Sequence, residues 1–166
     1  GENAIRAIRY PQPRAAPASE PRGLRGRNPS NAVWYWGVDD YVERADVWPL
    51  DPAGELIALI QIETFEAVEN AEAIMAVPGV GGIFIGPSDL ATDMGYERAT
   101  HPAVEEAIAS VLGVCMRRNI PCAITTNPES VERRLQQGFR IVTVGVDGGL
   151  SARAQQALQR ARATGQ

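Results

Sequence analysis

The chain has 166 residues, 45% of them hydrophobic, a length and composition suited to one domain with a packed core. Its formal net charge is −4, all 16 basic residues are arginine, and there are two cysteines and one histidine. These counts exclude general nucleic-acid affinity, a disulfide framework, a thiolate zinc site and, within this segment, any lysine chemistry such as a Schiff base or a P-loop.

The first ten residues, GENAIRAIRY, place Ala4, Ile5 and Ile8 on one helical face, so a helix end is expected there. Residues 11–30 hold five of the twelve prolines plus Gly23 and Gly26, which points to a loop. Charge is uneven: residues 1–30 carry six arginines against Glu2 and Glu20, and the remainder is acidic. Residues 34–56 read as a linker, with Trp34, Tyr35, Trp36 and Trp48 in packing or subunit contacts.

From residue 55 the pattern becomes regular. ELIALIQI (55–62) predicts a buried parallel strand, apolar on both faces, and 65–77 a helix. GIFIG (82–86) predicts a second strand, and His101-Pro102 opens a helix with proline in its first turn. IPCAITT (120–126) predicts a third strand; Asn127-Pro128 then caps a helix ended by Gly138. FRIVTVGV (139–146) predicts a fourth strand, and 150–161 a closing helix. Strand–helix alternation of this kind means parallel α/β architecture, either doubly wound or a TIM barrel; no G-x-G-x-x-G follows a strand.

In such folds functional groups collect at the C-terminal ends of strands. Those ends carry Gln61, Glu63 and Thr64; Ser88 and Asp89; Thr125 to Asn127; and Gly145, Asp147, Gly148 and Gly149. Gln61 and Glu63 share one strand face. Glu63 and Asp89 at neighbouring strand ends fit two readings. They converge on a hard divalent cation through oxygen, or they sit as acids at the N-termini of the helices that follow.

LIQIET (59–64), GIFIGPSDL (82–90), Met94-Gly95 and His101-Pro102 resemble the HpcH/HpaI aldolase family, metal-dependent pyruvate aldolases related to citrate lyase β subunits. RYP (9–11), RGLRG (22–26) and ENAEAIMAVPGV (69–80) support the resemblance, which runs from residue 4 onward. It implies a (β/α)₈ barrel, of which this chain carries the last four βα units and the preceding helix and loop. The expected organisation is one N-terminally incomplete domain over 1–166, with 1–54 as helix end and loop and 55–166 as the βα units.

The resemblance further implies one divalent cation, Mg²⁺ or Mn²⁺ with Co²⁺ also admitted, on Glu63 and Asp89. Gln61 stands beside the site, and the backbone amides of Ser88 and Asp89 hold the substrate carboxylate. The activity implied is carbon–carbon lyase chemistry, joining or cleaving pyruvate, as its enolate, and an aldehyde, on 4-hydroxy-2-oxo acids. The family's catalytic histidine and substrate arginine have no counterpart here, and the base is expected before Gly1. His101 matches a structural histidine that opens a helix. The fragment alone is expected to be inactive, and the full-length form to be a cytoplasmic homo-oligomer with no nucleic-acid or membrane partner. Two alternatives stand beside this reading. One is an acyl-CoA lyase of the citrate lyase β or malyl-CoA type, which the acidic 31–166 segment does not favour. The other is a non-catalytic barrel fragment serving as a subunit-interaction module. A phosphate cradle at Gly145, Gly148 and Gly149 ranks last, because Asp147 opposes an anion.

Overall fold

The computed structural model describes residues 1–11, 20–25, 41–144 and 152–164. Trp34, Tyr35, Trp36, Gly145, Asp147, Gly148 and Gly149 lie outside the described residues. Helices α1 (Glu2–Ile8) and α2 (Tyr41–Arg44) precede strands β1 (Val47–Trp48) and β2 (Leu56–Ile62). Then come α3 (Phe65–Glu69), α4 (Ala71–Met75), β3 (Val80–Ile85), α5 (Pro87–Asp93) and α6 (Pro102–Arg118). Strand β4 (Cys122–Ile124), α7 (Val131–Gln137), β5 (Ile141–Val142) and α8 (Ala152–Ala163) complete the order.

The strands run β1-β2-β3-β4-β5 in sheet order. The pairs β1–β2, β3–β4 and β4–β5 are parallel, with Val47 opposite Leu56, Ile83 opposite Cys122, and Ala123 opposite Ile141. Sequential order with parallel pairing is what repeated strand–helix connections produce. The expected parallel α/β architecture is therefore present, but with five strands among the described residues where four were expected. The added strand, β1, lies in the stretch read as linker. Two residues are too few to show a period.

Other local expectations shift for identifiable reasons. The helix expected over 65–77 is two short helices. Asn70 interrupts them, its side-chain Nδ2 donating to the Glu66 carbonyl at 2.8 Å, a local bond that competes with helix continuation. Asn127 does not cap α7; its Oδ1 accepts from the Ser130 amide at 3.0 Å, forming a turn before Ser130, the actual N-cap. Strand β2 is not buried on both faces: Ile57 is 59% and Leu59 43% exposed, while Ala58 and Ile62 are buried.

The chain divides into two compact units, Gly1–Ile60 with Ala73–Gly82, and Gln61–Glu72 with Ile83–Gln166. In the first, Leu24 and Arg25 donate their amides to the carbonyls of Arg6 and Arg9 at 2.7 and 2.9 Å. That close approach requires Gly23, where a Cβ would stand 2.1 Å from the Tyr10 carbonyl oxygen. Tyr10, Tyr41 and Ala45 form a small core beside it. Arg9 is 3% exposed. Its Nε donates to Asp46 Oδ1 at 2.8 Å and its Nη1 to Glu20 at 3.2 Å.

In the second unit α6 is the main buried helix. His101 caps it by accepting the Ala103 amide on Nδ1 at 3.2 Å, Pro102 occupies its first turn, and Arg117 and Arg118 oppose the dipole at its end. Its stripe Val104, Ile108, Val111 and Cys115 is almost fully buried, each such side chain contributing about 1.5–3 kcal/mol where it is a large aliphatic. Val131, Val144, Ala154 and Ala157 form a further cluster joining α7 and α8.

Glu105, on α6, is clamped from α7. Arg134 donates Nη1 to Oε2 and Nη2 to Oε1, both at 2.8 Å, and Arg133 adds a bond at 3.3 Å. Burial pushes the Glu105 carboxyl up, but the bonds and charge of Arg134, then Arg133, outweigh it and hold the group below the usual carboxylate range. The folded state thus keeps this carboxylate ionised to lower pH than the unfolded state does. Its stabilisation is fully present above the ordinary value of 4.5 and is lost as pH falls through the lower folded value. Glu105→Gln should cost about 2 kcal/mol near neutral pH, read by urea unfolding. The gap to the parent should narrow as pH falls below 4.5 and close once the folded carboxyl is protonated. A gap that stays constant with pH would remove the ionised pair as its cause.

Candidate active site

Glu63 and Asp89 both belong to the second unit and follow neighbouring strands, β2 and β3. Two hydrogen bonds tie the strand ends and their following helices together. The Gly86 amide donates to the Ile62 carbonyl at 3.1 Å. The Phe65 amide, at the start of α3, donates to Asp93 Oδ2 at 2.7 Å, at the end of α5.

Glu63 is half-buried, and Gln61 Nε2 donates to its Oε2 at 2.7 Å. The two-residue spacing on an extended strand puts both side chains on one side, so the amide can hold the carboxylate. Gly86 lies against the pair: a Cβ there would meet Gln61 Nε2, Glu63 Cβ and Glu63 Oε2, each at 3.4 Å. These are ordinary contact distances, and they place the Glu63 carboxylate directly beside the β3 end.

The capping alternative for Glu63 does not describe α3, whose N-cap is Thr64, its hydroxyl accepting the Ala67 amide at 3.2 Å. Asp89 stands in the first turn of α5, exposed, with Ser88 beside it. The first backbone bond of α5 runs from the Leu90 amide to the Gly86 carbonyl at 3.0 Å. The amides of Ser88 and Asp89 therefore have no acceptor within the helix. At the β4 and β5 ends, Thr126 donates its amide to Thr143 Oγ1 at 3.0 Å and its hydroxyl to the Thr143 carbonyl, so these threonines serve each other. His101 is engaged at the α6 cap. Among the described residues no group of three or more His, Cys, Asp or Glu side chains could hold a metal, and the candidate donors are the two carboxylates. No helix of the described residues is long and apolar enough to cross a membrane.

Strands in unbroken sequential order, with the candidate groups at their C-terminal ends, make a half-barrel of the α/β barrel class rather than a doubly wound sheet. The sequence model of the HpcH/HpaI aldolase/citrate lyase family matches residues 9–154, and this chain belongs to that family. It is 37% identical over 159 residues to the 4-hydroxy-2-oxo-heptane-1,7-dioate aldolase of Escherichia coli (strain ATCC 8739), covering 93% of this chain and 55% of that protein. The Klebsiella pneumoniae protein of the same name is 36% identical over 159 residues. The crystal structure of a HpcH/HpaI aldolase/citrate lyase family protein from Burkholderia cenocepacia J2315 superposes with a TM-score of 0.74 at 31% identity. That superposition covers 97% of this chain and 60% of the other. The chain thus spans about half the length of the curated relatives it matches.

Proposed function

We propose that this chain carries the metal and pyruvate site of a class II aldolase that makes or cleaves the bond between pyruvate and an aldehyde, acting on 4-hydroxy-2-oxo acids. The observation that carries the reading is Glu63, held by Gln61 over Gly86 at the end of β2, beside the strand end that bears Asp89. Two carboxylates suit Mg²⁺ or Mn²⁺, hard cations commonly bound by one or two carboxylates with substrate and water completing the shell. The family name and the named activity of the relatives support the same chemistry. The chain is read as one barrel-type domain, working in the cytoplasm within a homo-oligomer.

When bound, the divalent cation supplies a Lewis acid for the keto and carboxylate oxygens of the 2-oxo acid. Glu63 and Asp89 hold it, and Gln61 orients Glu63. The amides of Ser88 and Asp89 donate to the substrate carboxylate, which fixes the substrate for loss or gain of a proton at the methyl carbon. The proton itself needs a base within hydrogen-bond reach, a contribution of about 10²–10⁴ in rate. His101, whose Nδ1 accepts at the α6 cap away from the strand ends, is not assigned that role.

Calorimetry with pyruvate tests this. Binding should require Mg²⁺ or Mn²⁺ and vanish with chelator. Borohydride added with pyruvate should leave the mass unchanged, since this segment has no lysine to form an imine. The chain by itself should turn over well below about 1 s⁻¹, the low end of ordinary enzymes. Metal-independent pyruvate binding or a reduced covalent adduct would overturn the reading.

A further inference from the structure

A cavity of about 580 Å³ lies between the end of α6, the start of β4 and the end of α7. It sits at the N-terminal ends of β4 and β5, away from the strand ends that carry Glu63 and Asp89. Met116, Asn119 and Arg140 line it and are themselves exposed, so it opens to solvent. Its wall also holds both cysteines of the chain, Cys115 and Cys122, which are free and buried.

The backbone brings the two thiols together. Asn119 takes a left-handed conformation, φ 53°, at the α6 C-cap, and the Ile120 amide donates back to the Cys115 carbonyl at 2.9 Å. This tight exit starts β4 beside the last turns of α6, so that both cysteines come to line the one cavity. Two buried cysteines packed as small hydrophobes are ordinary. Here the two share the wall of one solvent-open cavity.

We propose that Cys115 and Cys122 are an oxidisable dithiol, a modification site that takes small disulfides through this cavity and closes to an intramolecular disulfide. The neighbouring Cys122 thiol draws the Cys115 thiol below its ordinary range against the opposing effect of burial. The same interaction, then burial, pushes Cys122 up. Cys115 is taken as the attacking group and Cys122 as the resolving one, an order that the two serine variants read directly. The Cys115 thiolate attacks one sulfur of the small disulfide; the reagent's S–S bond breaks, and one thiolate leaves. Cys122 then gives its proton to solvent and attacks Cys115 Sγ, expelling the second thiolate. The protein loses two electrons and two thiol protons, and the reagent is reduced to two thiols.

The sequence provides a clean readout. Arg117 and Arg118 lie between the cysteines, so trypsin separates them unless a disulfide joins the fragments. Native protein is treated with hydroxyethyl disulfide, alkylated in urea, and digested without reductant. Residues 99–117 and 119–133 should appear as one linked peptide, absent before treatment. In Cys122→Ser the reaction should stop with the reagent attached to Cys115. In Cys115→Ser, attachment at Cys122 should be at least about tenfold slower. Cys122→Ala and Cys115→Ala replace the serine variants if the hydroxyl at a buried position unfolds the chain. Separate adducts on the two cysteines, or an adduct without linkage in the parent, would overturn the proposal. So would inertness of the native thiols under conditions that modify both in urea.

Discussion

Glu63→Gln should weaken Mn²⁺ binding by at least about 100-fold with the fold unchanged. Changes to groups that only orient a ligand typically cost about 10–100-fold in metal affinity, and loss of a ligating carboxylate should exceed that. Gln61→Leu, which removes the 2.7 Å bond to Glu63 Oε2, should fall in that lower range. Glutamine at 63 keeps the size of the side chain and an acceptor for the Gln61 amide, so circular dichroism and the unfolding midpoint should not move. Asp89→Asn, at an exposed position in the first turn of α5, should behave like Glu63→Gln. Calorimetry or Mn²⁺ electron resonance reads the loss. Parent-like affinity in both carboxylate variants would place the cation elsewhere.

Arg9→Met should destabilise the first unit by about 3–5 kcal/mol, because it leaves a buried carboxylate without its cation. Asp46 is 7% exposed, and its Oδ1 takes Arg9 Nε at 2.8 Å and the Val47 amide at 2.7 Å. The pair thus holds the entry to β1. Asp46→Asn should cost less: it retains an acceptor for Val47, and Arg9 keeps Glu20 and the Pro21 carbonyl. Arg9→Met with Asp46→Asn should recover part of the loss, since no charge is then stranded at 46. Hydrogen exchange of β1 and β2 amides reads the effect as an acceleration of about a hundredfold or more. A change below tenfold for Arg9→Met would show that the pair contributes little.

Element types were legible where a period ran long enough. Residues 102–118 show a full apolar stripe and proline in the first turn, and α6 matches them. Val47–Trp48 offered no period, and β1 was missed for that reason. Competing local bonds moved two boundaries. Asn70 bonds back to Glu66 and breaks a continuous helical pattern, and Asn127 closes a turn instead of capping the helix after it. Both residue types make such bonds in several local arrangements, so composition alone does not select one. Strand β2 reads as apolar throughout, and only the placement of neighbours decides that Ile57 and Leu59 are exposed while Ala58 and Ile62 are buried.

By itself the sequence determined the alternation of strands and helices. It also determined the grouping of Gln61 with Glu63 on one strand side and the placing of Ser88 and Asp89 at the next strand end. All of these depend on spacing within one element, which a residue period of two or 3.6 expresses directly. Tertiary structure alone decided that Gln61 donates to Glu63 over Gly86, that Arg9 closes on Asp46, that Arg134 clamps Glu105, and that Cys115 and Cys122 line one cavity. Apart from the two-residue strand spacing of Gln61 and Glu63, these contacts join separate elements. Which polar groups leave water together is settled by packing, and a burial cost is met only by the partner that the fold brings within reach.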